Sequence, residues 1–213
     1  MIVRLQHLSA RAPSLADLQA VASLWTTCTD STHYNEEEVH QRWQTTSFQL
    51  HADAWVVVTR QNDIVAYADI CRETHLGAFV TSIYVHPDQR ERGIAMLLLL
   101  LVEQRLRHFM DDIPLSQKIT LTSTVRNIDN HTCTMFVREG YICQRRFSRV
   151  TVARKEGAFV DPLHIDLLID DDSLLGNDQG VQDCEVYVKV LRSAQEVAKV
   201  LSSTQADQQY SLV

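Results

Sequence analysis

Hydrophobic and polar positions along the chain change period several times, and each change marks an element. Residues 2–7 alternate apolar and polar and predict a first strand. Ser14, with Asp17 three residues on, has the spacing of a capping box. Behind it Leu15, Leu18, Val21, Ala22 and Trp25 form a helical stripe. Residues 26–34 are rich in Thr, Ser and Asp and read as a loop. Asn35, followed by Glu36, Glu37 and Glu38, opens a second helix that reaches about Thr45. Residues 54–59 predict a strand, Gln61, Asn62 and Asp63 a hairpin turn, and residues 64–72 the returning strand.

The middle of the chain carries the strongest signal. Residues 80–85 are β-branched and aromatic, as a buried strand should be. Pro87 stops the strand, a polar turn follows, and Gly93 opens a helix with the apolar run 94–102. Leu97 to Leu101 cover almost every side of that helix, which predicts a centrally buried position. Arg105, Arg107 and His108 complement the dipole in its last turns. Residues 119–125 predict the next strand, Asn127 to Asn130 a cap, residues 131–139 a short helix closed by Gly140, and residues 141–154 a long strand or a bent pair of strands. The order β-α-α-β-β-β-α-β-α-β predicts a mixed α/β layered domain over residues 1–155.

Residues 156–213 form an extension that also reads as folded. Residues 164–170 and 184–190 predict two strands. Ser193 with Glu196 opens a helix, and residues 202–213 read as a frayed end. An alternating strand of this kind needs a neighbour, on the same sheet or on that of a second subunit, which leaves a homodimer through the extension open.

Charge sharpens this division. Residues 1–155 carry 17 Lys/Arg and 16 Asp/Glu, residues 156–213 carry 3 and 11, and the whole chain stands at −7. A neutral body with an acidic tail argues against a nucleic-acid partner, which would require a basic footprint. The longest apolar run is too short to span a bilayer, and the first residues lack the pattern of a signal peptide. Cys28, Cys71, Cys133, Cys143 and Cys184 are scattered, which suits reduced thiols in the cytoplasm. Neither they nor the nine histidines show metal-ligand spacing.

Candidate chemistry lies in the turn after residues 80–85. A strand feeding a glycine-containing turn into a helix is an anion site, because the first N–H groups of the helix point outward and its dipole favours negative charge. Arg90 and Arg92 add positive charge, and the spacing Arg90-x-x-Gly93-x-Ala95 is neither the dinucleotide fingerprint nor a Walker loop. In this context the phrase resembles the acetyl-coenzyme A signature of the GCN5-related N-acetyltransferases. Met135-Phe136 with Gly140-Tyr141 is similar to a second element of that family. The resemblance implies a GNAT-like mixed central sheet flanked by helices, with the C-terminal strands and helix as a β/α extension.

It also implies that two central parallel strands splay apart to admit the pantetheine arm of acetyl-CoA. Ile83, Tyr84 and Val85 would bond that arm. Arg90, Glu91, Arg92, Gly93, Ile94 and Ala95 would hold the pyrophosphate, with Asn130 at the cap of the later helix. An amine of a small molecule or peptide would enter from the opposite side and attack the thioester directly, near His33, Tyr34 and Arg42. The chain departs from the family at both usual proton-transfer positions, with Phe136 for the acid and Phe79 for the base. Glu73, Tyr84, His131 and Tyr141 remain as alternatives, unranked, and the catalytic residues stay open. These departures keep alive a second reading, a non-catalytic module that binds acyl-CoA or a partner.

Overall fold

A computed structural model describes residues 7–29, 36–73, 75–126, 129–152, 163–168 and 181–192. The elements are β1 (Ser9–Arg11), α1 (Leu18–Thr29), α2 (Glu36–Trp43), α3 (Leu50–Asp53), β2 (Ala54–Val58), β3 (Ile64–Arg72), β4 (Ala78–Val85), α4 (Ile94–Met110), β5 (Ile119–Arg126), α5 (Asn130–Arg138), β6 (Ile142–Val152), β7 (Leu163–Leu168) and β8 (Val181–Arg192). Eight strands form one mixed sheet in the order β1-β2-β3-β4-β5-β8-β6-β7. β4 and β5 are parallel, and every other neighbouring pair is antiparallel.

The period of two along the strands sorts side chains between two cores. Val57, Ala66, Ala68, Ile70, Phe79, Ile119 and Leu121 face α4, while Val56, Val58 and Tyr67 face α1 and α2. Burying each large apolar side chain contributes roughly 1.5–3 kcal/mol, so both sheet faces need their helices.

Helix α4 corrects the expectation of burial on all sides. Leu98, Leu99, Val102, Leu106 and Phe109 are buried, but Leu100 is 49 % exposed. It is amphipathic and lies on one face of the sheet, with Leu100 on its solvent side. The strand predicted over residues 2–7 lies outside the described residues except for His7, and the first described strand, β1, runs over Ser9–Arg11 and pairs with β2. The one-turn helix α3 went unpredicted because four residues carry no helical period. Its Asp53 carboxylate accepts from the Gln49 N–H (2.7 Å) and from Arg105 of α4 (2.7 Å).

At the start of α5 the cap is Asp129 rather than Asn130. The Asp129 carboxylate accepts from the Thr132 N–H (3.1 Å) and hydroxyl (2.9 Å), and Asn130 is the first helical residue, exposed. The helix ends as predicted at Gly140, whose φ of +83° suits glycine. Gly140 N–H donates to the Val137 carbonyl and Tyr141 N–H to the Phe136 carbonyl, the paired bonds of a Schellman end. The apolar contact that accompanies such an end is Phe136 against Tyr141, edge to face at 4.8 Å.

The extension contributes two strands to the same sheet. β7 pairs with β6, and β8 lies between β5 and β6, bonded to both along its length. The Lys189 ammonium on β8 pairs with the buried Glu103 of α4 at 2.8 Å, and the Tyr141 hydroxyl donates to the same carboxylate at 3.0 Å. Burial and this carboxylate push the Tyr141 phenol far above its ordinary value. The helix predicted from Ser193 lies outside the described residues. Among the described residues, no helix is long and apolar enough to cross a membrane.

Candidate active site

The site begins where β4 and β5 part. Their pairing runs from Ala78↔Thr120 to Thr81↔Ser123 and stops there, while β4 stays paired with β3 through Val85↔Ala66. Residues 82–85 therefore present one backbone edge to a cleft instead of to β5. Ser82, Ile83, Tyr84 and Val85 line one wall, and Thr124, Val125, Asp129 and Thr132 line the other. An extended ligand with its own amides can occupy such a gap as a strand would.

Beyond β4 the backbone turns sharply. His86 precedes a 3-10 turn over Pro87–Gln89, Glu91 adopts φ +63° and Gly93 φ +80°. Gly93 caps α4, and the first intrahelical bond runs from the Leu97 N–H to the Gly93 carbonyl (3.1 Å). The N–H groups of Ile94, Ala95 and Met96 thus have no partner within the helix. They open on a second depression lined by Arg90, Glu91, Gly93, Ile94, Ala95, His131 and Arg138. It shares Val85, Arg90, Asp129 and Thr132 with the first, so the two are contiguous.

Most of the predicted cofactor residues come together here. Ile83, Tyr84 and Val85 line the gap between the strands, and Arg90, Glu91, Gly93, Ile94 and Ala95 line the helix mouth. Arg92 faces a different depression, beside His7, Thr59 and Gln61, and bonds to Gln89. Asn130 lines neither depression, and His131 and Thr132 stand there instead. His131 Nε2 lies 2.9 Å from the Glu91 carboxylate, linking α5 to the turn before α4. The Arg90 Nε is buried and makes no hydrogen bond among the described residues. A buried, unsatisfied guanidinium nitrogen beside free helix N–H groups is the donor set that a pyrophosphate requires. The site fits the polar part of acetyl-CoA.

The opposite wall belongs to α1 and α2. Trp25, Cys28 and Thr29 project from one face of α1 and Arg42 from α2. The Cys28 thiol donates to the Val85 carbonyl (3.3 Å), and the Trp25 and Tyr84 rings lie 5.2 Å apart. Arg42 grips Asp69 of β3 through Nε (2.5 Å) and Nη2 (2.8 Å), and Nη2 also reaches the Ser82 hydroxyl (3.0 Å). Tyr67 donates to Asp69 and accepts from the Trp43 indole. Burial, with the Asp69 charge added, pushes the Tyr67 phenol well above its ordinary range. The Cys71 thiol is pushed up to about 12, chiefly by burial. Neither group ionises near neutral pH. His33 and Tyr34 lie outside the described residues.

The two departures from the family are packed away from the gap. Phe79 is buried and stacks on Phe109 of α4 at 5.4 Å, and Phe136 is buried between Tyr141 and Tyr187. Tyr141 is committed to Glu103, and Glu73 sits in the β3–β4 turn, its N–H on the Ala78 carbonyl. Of the four alternatives only Tyr84 and His131 line the cleft, Tyr84 on the α1 side and His131 at the helix mouth. Sequence reasoning missed Ser82, Asp129 and Thr132 as lining residues. Asp69 carried a signal, an acid inside the apolar run Ile64–Arg72.

Comparison with known proteins places this architecture. None of the curated proteins matches the chain. A GCN5-related N-acetyltransferase from Sphaerobacter thermophilus superposes with a TM-score of 0.61 at 25 % identity, covering 70 % of this chain and 48 % of that one, so this chain spans about half its length. The yncA protein of Salmonella typhimurium, solved with its cofactor acetyl-CoA, superposes at 0.58 with 12 % identity over 88 % of this chain and 95 % of its own. A phosphinothricin acetyltransferase from Sinorhizobium meliloti in complex with acetyl-CoA gives 0.55 at 16 % identity, over 87 % and 89 %. These likenesses establish the fold. The model of the acetyltransferase (GNAT) family matches residues 18–133, more than half of the sequence and all of the cleft's strand and helix walls from α1 to the start of α5. By that match this chain belongs to the acetyltransferase (GNAT) family.

Proposed function

We propose that the protein is an acetyl-CoA-dependent N-acetyltransferase acting on an amine of a small molecule or peptide by direct attack. The observation that carries this reading is the continuity of the β4–β5 gap with the N-terminus of α4. One part suits an amide-bearing arm and the other a pyrophosphate, and both meet at Val85 and Arg90. The exposed edge of residues 82–85 supplies backbone groups for the pantetheine and an N–H for the developing oxyanion. Arg90 and the N–H groups of Ile94, Ala95 and Met96 hold the phosphates. The amine enters from the α1–α2 side. Its nitrogen bonds to the acetyl carbon, the C–S bond breaks, the amine proton passes to solvent, and the CoA thiolate leaves and is protonated. Holding the two reactants side by side accounts for much of the acceleration.

A second reading, a non-catalytic acyl-CoA-binding module, draws on the burial of Phe79 and Phe136, which leaves neither usual proton-transfer position with an ionisable group. Release of CoA thiol, followed over a panel of amines, separates the two. Turnover with any amine rejects the binding module. Acetyl-CoA binding without turnover rejects the transferase.

A further inference from the structure

The amine-side wall of the cleft has a distinctive charge. Among its described lining residues on α1, α2 and the adjoining part of β4, Arg42 is the one charged side chain; Arg90 and Asp129 stand at the helix mouth. Its partner Asp69 is fully buried and does not line the cleft. Each Asp69 oxygen already accepts two bonds: Oδ1 from Arg42 Nη2 and the Ser82 N–H (3.1 Å), Oδ2 from Arg42 Nε and the Tyr67 hydroxyl (2.9 Å). A carboxylate so saturated has no acceptor left for a substrate proton. Asp69 is an anchor.

What it anchors is a presented donor. Three of the five guanidinium N–H groups go to Asp69 and Ser82, and the group stands 5.9 Å from the centre of the Trp25 ring. The two N–H groups of Nη1 bond to no oxygen among the described residues, although the Cys71 sulphur lies nearby and the Arg42 side chain is 30 % exposed. This fixed donor sits beside Ser82, one residue past the last β4–β5 pair, where the gap opens. A carboxylate bound to Nη1 therefore lies close to the point where an acyl group would be held. An amine one carbon away from that carboxylate would stand next to residues 82–84. Among the described residues of this wall, a polycationic acceptor meets a guanidinium and no exposed acid.

We propose that the acceptor is an α-amino acid and that Arg42 recognises its carboxylate, an inference that rests on the transferase reading above. Matched compounds test it: free amino acids against their carboxamides and the corresponding decarboxylated amines, with acetyl-CoA and thiol release as the readout. The free acids should exceed their neutral partners by about 10- to 100-fold in kcat/KM, the size of one lost charged hydrogen bond. Arg42→Lys keeps a cation against Asp69 and removes the fork. It should raise KM for the acids by a much larger factor than it alters KM for the carboxamides or for acetyl-CoA. Equal turnover of acids and carboxamides, or an equal loss of both in Arg42→Lys, overturns the proposal while the transferase reading stands. Thermal shift with amino acids in the presence of CoA supplies an arm independent of chemistry. Stabilisation by free acids alone, lost in Arg42→Lys, without turnover, supports the subsite and rejects the transferase. Neither stabilisation nor turnover with any free acid overturns the inference.

Discussion

The Arg90 guanidinium faces the Asp129 carboxylate across the mouth of the cleft, Nε to Oδ2 at 3.8 Å, with the start of α4 on one side and the cap of α5 on the other. The separation is too long for a hydrogen bond, so the pair spans the cleft without closing it. Two residues far apart in sequence thereby frame the place where phosphate oxygens would lie.

Acetyl-CoA should raise the melting temperature, because a ligand that binds only the folded state stabilises it by mass action. Gly93→Asp puts a side chain on a residue at φ +80° and a negative charge at the helix mouth, and should abolish the shift. Arg90→Ala should leave a reduced shift, since the backbone N–H donors remain. A full shift in Gly93→Asp would remove the phosphate site from this turn.

Lys189→Met should destabilise the fold by about 3 kcal/mol, lowering the melting temperature by roughly 6–12 °C, because it leaves the Glu103 charge buried beside Tyr141. Adding Glu103→Gln to Lys189→Met should recover part of that loss by removing the stranded charge. Thermal unfolding of the two variants is the measurement, and equal melting temperatures would count against a charge-based link between β8 and α4.

The Asp17 carboxyl is held down at about 2 by hydrogen bonds from Arg11, against the opposing effect of burial, and then by the Ser14 N–H and hydroxyl. A depressed folded-state value means that the contribution is complete above the unfolded value near 4 and drains away as pH falls towards 2. The wild type should therefore lose stability over that window more steeply than Asp17→Asn. At pH 7 the variant should be weaker by about 1–2 kcal/mol. Denaturant titrations at pH 7 and pH 3 check both statements, and parallel pH curves would refute the pairing.

Truncation after Lys155 should lower the melting temperature sharply or render the protein insoluble. It removes β8 and exposes facing edges of β5 and β6. A soluble truncated chain with the melting temperature of the full chain would show that β8 contributes little.

The central strand, glycine turn and helix were legible because sequence-local chemistry dictates them: β-branched residues, then Pro87, then Gly93 at a positive φ. The Schellman end at Gly140 was legible for the same reason. The cap at Asp129 was not, since Asn127, Asp129 and Asn130 are equally good capping residues and only the Thr132 contacts choose among them. Arg42 could be named from its place on a helix over the cleft, but its grip on Asp69 joins residues 27 apart and has no sequence period. The packing of Phe79 and Phe136 is likewise tertiary: nothing in an aromatic's neighbours along the chain tells which layer will enclose it. Leu100 shows the converse limit, where a solid apolar run concealed an exposed position.

The place of β8 in the sheet has a consequence for the order in which the molecule can assemble. β5 and β6 follow one another closely in the sequence, yet neither pairs with the other, and β8 links them in contacts such as Ser123↔Tyr187. A chain emerging from the ribosome must expose both edges until the segment from Val181 has been made. Sheet closure then waits on contacts of large sequence separation, whose loop-closure entropy slows the step. During that wait both strands offer open backbone to any neighbouring chain, and synthesis of β8 ends the exposure.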